Sequence, residues 1–533
     1  MLDNSQVEPA TVESGASAPR LATARASLAG ALLRRHWLAA ALLAAGLVLR
    51  VLAQFAYRPV LFYIDTTRYL YNDAPGMDPV GYKGPLRAII AVANFNTVAA
   101  IQHLLGLAVA VVIYLLLLRR GSPRWLAALA TAPLLLDAYQ IQIEQMLMPD
   151  IWFEALMVTG LAVLLWRQAP GWRTVLAGGL VLGTSVIFAQ IGEALLLPAV
   201  IYLLALGGGR RQALGKAGVL CAAFALPILA YCTVNYLAAG NFFPSRTGVT
   251  SIYGRMAAAA DCTTLRLTSA EWGMCPIKAQ QAKGPDSLEF DQDSPIRPYY
   301  NGLPRDTVNA LIIDFDDRVL TQQPLRVLRA YLRDVVRPFA LTRDGSPGVT
   351  AISRWQFQTS YPYFPPHASR QVIDSSVDRF GGGRPAVWRP GATFLRAYQL
   401  HGGYIPGPLF ALCVLAGLIG SASLLLCLPR PRAPRPPPLG GRAGRAAREA
   451  LPVPPPHSAC PAPGAPRSRP RPAPAPALAC LLMFASGVSV LLVSDVFEFS
   501  WRYLLPALVT LVPAGALGIA IVIRAAQARR TAA

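Results

Sequence analysis

The sequence predicts an all-α polytopic membrane protein with about ten transmembrane helices and one extracytoplasmic mixed domain. Three observations predict it. Of the 533 residues 54% are hydrophobic and only 14% charged, where soluble domains carry about a quarter charged residues. The apolar residues come in runs long enough to cross a bilayer. The basic residues gather in short loops between those runs, the pattern by which membrane helices are oriented. The formal net charge of +21 therefore reads as a topology signal and not as a nucleic-acid surface.

Residues 1–35 are polar, small and arginine-containing and predict a disordered cytoplasmic tail. Arg34 and Arg35 precede an apolar run at 36–57, which is long for a cleaved signal peptide and reads as a signal anchor. The outer loop 58–97 is too polar to span. It holds two segments, 65–72 and 86–96, with enough apolar character to lie along the membrane surface as short helices. Further spans are predicted at 98–118, 125–136, 150–166, 174–189, 194–206 and 217–236. Together with the first they form a transmembrane module at 36–236. Span interiors read as nearly free of charge.

Residues 237–403 are richer in Asp, Glu, Arg and Pro, and no segment there is apolar enough to span. They are expected to form one extracytoplasmic domain, helical at 306–337, with strands or loops at 246–255 and 354–364. A span at 404–428 follows. Residues 429–476 are rich in Pro, Arg, Ala and Gly and read as a disordered cytoplasmic linker. Residues 477–533 hold two more spans and a basic tail. With the N-terminus inside, every short basic loop falls on one side. The expected location is the plasma membrane, multi-pass, with both termini cytoplasmic. Cys262 and Cys275 then lie outside the cell, where a disulfide between them is chemically allowed.

This topology gathers polar groups on the outer face. Asp65 sits among Tyr63, Tyr69 and Tyr71, with Arg68 one helical turn on. A carboxylate there suits a general base, and rings suit stacking on a sugar. Lys83 lies in Gly-Tyr-Lys-Gly-Pro-Leu, where glycines let backbone approach a ligand and a compact cation suits a phosphate. Glu144, Glu193, Asp495 and Glu498 fall in outer loops as further substrate-binding candidates, and Arg502 faces the last of these loops. Asp73, Asp78, Asp150 and Glu154 share this side. Each acid, taken singly, also reads as an ordinary solvated loop residue. His103 and His401 are isolated and read as structural. No Walker loop, H-E-x-x-H or G-x-S-x-G motif is present.

In these residues the chain resembles the GT-C superfamily of integral-membrane glycosyltransferases, in the branch of protein O-mannosyltransferases and the lipid A aminoarabinose transferase. Asp65 in Ile-Asp-Thr-Thr-Arg-Tyr-Leu resembles the family's acid in the first outer loop. Lys83-Gly84-Pro85-Leu86 looks like its Lys-Pro-Pro-Leu, and Arg502-Tyr503-Leu504-Leu505-Pro506 like its Arg-Tyr-x-x-Pro. The resemblance covers 36–236 and, more weakly, 494–523. Where many relatives have a second acid beside the first, this chain has Thr66. The resemblance implies inverting transfer of a sugar from a polyprenyl-phosphate carrier to an extracytoplasmic acceptor. Asp65 would be catalytic, and Lys83 and Arg502 would bind the donor phosphate.

The implied partners are a lipid-linked sugar donor, membrane lipid and an outer acceptor. No cofactor is required by this chemistry. Glu144, Asp150, Asp495 and Glu498 are the oxygen ligands that a divalent cation would use. Two competing classes stand beside the enzyme: a transporter or flippase of lipid-linked saccharide, which calls for charge within the spans and repeated halves, and a non-catalytic assembly protein.

Overall fold

The computed structural model describes residues 30–31, 33–72, 79, 81–206, 209–240, 242–245, 248–345, 348–426 and 475–532. The expectations for most of the N-terminal tail, the 429–476 linker, Asp73 and Asp78 lie outside the described residues.

The chain is built from helices. α1 (Trp37–Ala56) leads into a loop with two short helices, α2 (Thr66–Tyr71) and α3 (Lys83–Val92). α4 (Phe95–Arg119) follows, and Asn94 caps it by accepting from the amides of Asn96 and Thr97 at 3.0 and 3.4 Å. Next come α5 (Arg124–Leu129), α6 (Ala132–Leu136), α7 (Ala138–Gln145), α8 (Asp150–Leu165), α9 (Trp172–Val186), α10 (Leu196–Ala205) and α11 (Arg210–Ala239). Outside the bundle are α12 (Gly248–Ala259), α13 (Pro285–Phe290), α14 (Arg305–Gln322), α15 (Pro324–Val336), α16 (Arg370–Phe380) and α17 (Arg389–Leu400), with shorter helical turns between them. α18 (Gly407–Leu426), α19 (Ala475–Phe497) and α20 (Leu505–Ala532) close the chain.

Among the described residues six helices are long and apolar enough to cross a membrane: α1, α4, α11, α18, α19 and α20. A seventh span arises if Arg124–Leu136 and Ala138–Gln145, bent by 50°, count as one broken crossing. This makes the chain a multi-pass membrane protein, with six or seven such helices among the described residues where about ten spans were expected. The reason is length. α8 has 16 residues and α9 has 15, about 23 Å at 1.5 Å per residue, short of a ~30 Å hydrocarbon core.

Two further expectations change. The outer region is helical and not mixed: its only described strand, Ala386–Val387, pairs antiparallel with Tyr57–Arg58. Residues assigned to a strand or loop at 246–255 belong largely to α12. The region also divides in two. Tyr253, Met274, Leu288, Val308, Ile312, Phe315 and Val319 build a separate small core. Val349, Trp355, Phe357, Tyr361, Ile373 and Leu395 join the main core of the membrane bundle. Cys262 and Cys275 are linked by a disulfide at the edge of the small core, with Cα atoms 6.1 Å apart.

Span interiors are not free of charge. Arg50, 1% exposed, lies in the middle of the spanning helix α1. Arg50 escapes notice in sequence because it stands alone in an otherwise apolar run.

Candidate active site

The first outer loop is stitched to the segment between α7 and α8. The Leu61 amide donates to Gln145 O at 2.9 Å, and the Leu147 amide donates to Leu61 O at 3.1 Å. Thr66, fully buried at the start of α2, accepts from the Tyr63 amide at 2.9 Å and donates to Leu147 O at 3.3 Å. Tyr82 donates to Gln102 Oε1 at 2.8 Å, and Gln102 in turn donates to the carbonyls of Glu144 and Met146 at 2.7 and 2.6 Å. These bonds satisfy loop backbone that would otherwise be buried unpaired. They also bring Asp65, just before α2, beside Asp150 at the first turn of α8.

Arg502 joins the two acids. It lies in the turn between α19 and α20, where Tyr503 N donates to Ser500 O at 2.9 Å. Its Nε and Nη2 hold Asp150 as a fork, at 2.6 and 3.0 Å. Its Nη1 faces Asp65 Oδ2 across 3.6 Å, longer than a hydrogen bond. Asp65 Oδ1 accepts from Arg68 Nη2 at 2.5 Å. The Asp65 side chain keeps 15% of its surface exposed and Arg502 keeps 13%. The guanidinium also lies over Trp355, 5.5 Å from the ring centroid, and over Tyr503 at 5.8 Å.

Rings and further acids complete the walls. Tyr63 packs on Trp355 and Phe364, with centroids 4.8 and 5.2 Å apart. Tyr69, also buried, meets Tyr82 edge-on at 5.2 Å. Asp286 of α13 pairs with Arg354 at 2.8 Å. Burial pushes its carboxyl up against the opposing pull of Arg354, and the Asp65 charge adds to the rise. Glu289 accepts from Thr250 and Ser251 at 2.7 and 2.9 Å, and burial pushes its carboxyl up to about 7. Glu498 accepts from Thr350 at 3.0 Å, and burial, with the Asp286 charge next, pushes it up to about 8. Three acids meeting around one arginine-rich wall raise one another because like charges resist joint ionisation.

The other candidates lie elsewhere. Lys83 heads α3 and donates to Asn72 O. Glu193 is exposed on the 3-10 turn Gln190–Leu195. Asp495 is 1% exposed at the joint between α19 and the outer region, where Arg255 donates to its carbonyl at 2.9 Å. Glu144 is a correction. It does not lie in a solvated loop: it is fully buried, forked by Arg50 at 2.7 and 2.7 Å and met by His103 Nδ1 at 3.0 Å, which leaves no face for a substrate. His103 is the partner that sequence alone could not supply. Glu144, Asp150, Asp495 and Glu498 do not converge, and among the described residues no group of three or more His, Cys, Asp or Glu side chains is placed to hold a metal.

Sequence reasoning passed over Asp286, Glu289, Arg354 and the pairing role of Asp150. Asp150 and Arg502 are 352 residues apart, so no local pattern joins them. Arg354-Trp355, at the end of the 3-10 turn Ile352–Trp355 and next to further aromatic residues, was the one available signal.

No family model matches the chain, and no curated protein matches it. Two solved structures are similar to it. One is the S. cerevisiae protein O-mannosyltransferase Pmt1-Pmt2 complex bound to the sugar donor, at 16% identity and a TM-score of 0.31, covering 42% of this chain and 36% of that one. The other is the archaeal oligosaccharyltransferase AglB from Archaeoglobus fulgidus in complex with an inhibitory peptide and a dolichol-phosphate, at 12% identity and a TM-score of 0.39, covering 94% of this chain and 52% of that one. The chain thus spans about a third and about half of their lengths. Both similar proteins are membrane glycosyltransferases with the GT-C fold.

Proposed function

We propose that this chain is a glycosyltransferase that moves a sugar from a polyprenyl-phosphate carrier to an acceptor on the face bearing Asp65. One observation carries the reading: Arg502 turns one guanidinium nitrogen towards Asp65 across 3.6 Å while Asp150 holds the other two. A cation held rigidly by one carboxylate, opposite a second, solvent-reachable carboxylate, supplies both groups that the transfer needs.

The step balances without a nucleotide or a redox partner. Asp65 takes the proton of the acceptor O–H. The acceptor oxygen bonds to the anomeric carbon from the face opposite the phosphate, and the carbon–oxygen bond to the carrier phosphate breaks. The departing polyprenyl phosphate carries the new negative charge, which Arg502 stabilises through the donors that Asp150 leaves over. Trp355 and Tyr63 offer rings for the sugar. The outer region acts as a cover, since its Arg354 reaches Tyr63 and its Asp286 feels the Asp65 charge. We place this face outside the plasma membrane because the basic loops mark the other side.

Purified protein reconstituted in vesicles with a radiolabelled polyprenyl-phosphate sugar tests the reading. Wild type should release the sugar to an acceptor or, slowly, to water, and Asp65→Asn should not. Movement of the intact donor across the bilayer without cleavage would make the chain a flippase. Neither event would make it an assembly protein. Deleting 250–290 should suppress transfer to acceptor more than hydrolysis of donor, if the cover selects the acceptor.

A further inference from the structure

The opposite end of the bundle carries a cavity. α1 is 20 residues long, about 30 Å at 1.5 Å per residue, so its two ends face opposite sides of the membrane. At the N-terminal end, between the start of α1 and the turn joining α4 to α5, lies a cavity of about 700 Å³, large enough for a small ligand. Arg35 comes to it from one side and Arg124 from the other. His36 Nδ1 and the Tyr114 hydroxyl lie 2.7 Å apart on its wall.

Two features separate this cavity from an ordinary basic loop. Ser122 lines it and is 6% exposed, and its Oγ is buried without a hydrogen-bond partner. A buried hydroxyl left unpaired is costly and calls for a partner. The neighbouring arginines are already engaged: Arg119 and Arg120 donate to the carbonyls of Trp166, Leu165 and Arg167, and Arg524 donates to Gly121 O. Arg35 and Arg124 make no ion pair or hydrogen bond among the described residues. Trp37 and Trp125 flank the mouth, 64% and 51% exposed, where interfacial tryptophans sit at headgroup depth. Leu38 and Leu118 supply the apolar wall.

We propose that this cavity binds the headgroup phosphate of an anionic phospholipid from the leaflet on this side. Two unspent guanidinium groups and a buried hydroxyl donor meet the phosphate oxygens. The tryptophan rim and apolar wall take the glycerol and the first methylenes, which distinguishes a lipid from a free anion. This site is separate from the proposed transfer chemistry and does not depend on it.

The full chain, reconstituted into vesicles of phosphatidylcholine with one tenth phosphatidylglycerol and re-extracted in mild detergent, tests the site by native mass spectrometry of co-purified lipid. Wild type should enrich phosphatidylglycerol over the bulk ratio. Arg35→Gln with Arg124→Gln, both exposed positions, should lower the enrichment about ten-fold, and Ser122→Ala about three-fold. Arg529→Gln with Arg530→Gln, which removes the same charge from the exposed end of α20, should leave it unchanged. The proposal is overturned if the pocket variants retain the enrichment or if the α20 control loses it equally. Displacement of phosphatidylglycerol by millimolar inorganic phosphate would overturn it too, in favour of a free-anion site.

Discussion

Two of this protein's arginine–carboxylate clusters, at Arg50 and at Arg502, differ in what they leave over. Around Arg50 every donor is used: Nε and Nη2 fork Glu144, while Nη1 and Nη2 also reach the carbonyls of Gly46, Leu135 and Leu134. Glu144 further receives His103 and Gln140. Even the helix opposite makes room, since a Cβ at Gly106 would stand 2.3 Å from Glu144 Oε1. Around Arg502 the fork to Asp150 is equally tight, yet Nη1 stays short of a bond to Asp65, and the side chain keeps 13% of its surface. A saturated buried pair ties helices together. An unsaturated one at the surface of the bundle can exchange a protein contact for a substrate contact. Buried charge marks both, and only the count of spent donors tells them apart.

The sharpest way to break the comparison is to open the saturated cluster. Arg50→Ala leaves Glu144 buried and unpaired, and should cost about 3–5 kcal/mol of stability. The loss should appear as a lowered thermal midpoint in detergent and poor yield of folded protein. An unchanged midpoint would mean that the Arg50 cluster is not the brace that its geometry implies.

Asp65→Asn should do the opposite. Transfer should fall about 10²–10⁴-fold, the usual contribution of a general base, with a thermal midpoint close to wild type because Arg502 keeps Asp150. A loss of folding in parallel with activity would move Asp65 into the class of Glu144.

Arg502→Lys keeps the charge and removes the fork. Transfer should drop about ten-fold or more, with a raised KM for the lipid donor. The same exchange at Arg50 should chiefly lower stability. If Arg502→Lys lowers stability and leaves KM alone, the two clusters are alike after all.

The smallest expected effect is a pH slope. Burial raises the Glu498 carboxyl from 4.5 to about 8. Between those values the folded chain holds a proton that the unfolded chain has released, so stability is full below pH 4.5 and falls as pH rises through about 8. Glu498→Gln should flatten the decline of the thermal midpoint between pH 5 and 8. Parallel curves for the two proteins would remove Glu498 from the titrating cluster.

Much of this was legible in order of sequence. The apolar runs announced a membrane bundle because twenty apolar residues have few other stable environments. Asp65 with its tyrosines, and the helical loop after α1, were readable because a polar loop between spans is a local signal. Residues 306–337, read as helix from apolar spacing, correspond to α14 and α15. The number of spans was not readable, because apolar composition does not tell a 15-residue helix from a 20-residue crossing one.

What the sequence determined by itself is therefore what depends on neighbours along the chain: helical periodicity, the polar outer loop, basic ends and the few acids set in aromatic surroundings. The tertiary structure alone decided which charges meet. Glu144 finds Arg50 at a separation of 94 residues, and Asp150 finds Arg502 at 352. Tyr63 packs against Trp355 with the rings tilted by 41°, again from a distant part of the chain. Contacts of that range are fixed by how helices pack and by which buried donors remain to be satisfied, and those quantities exist only once the bundle has closed.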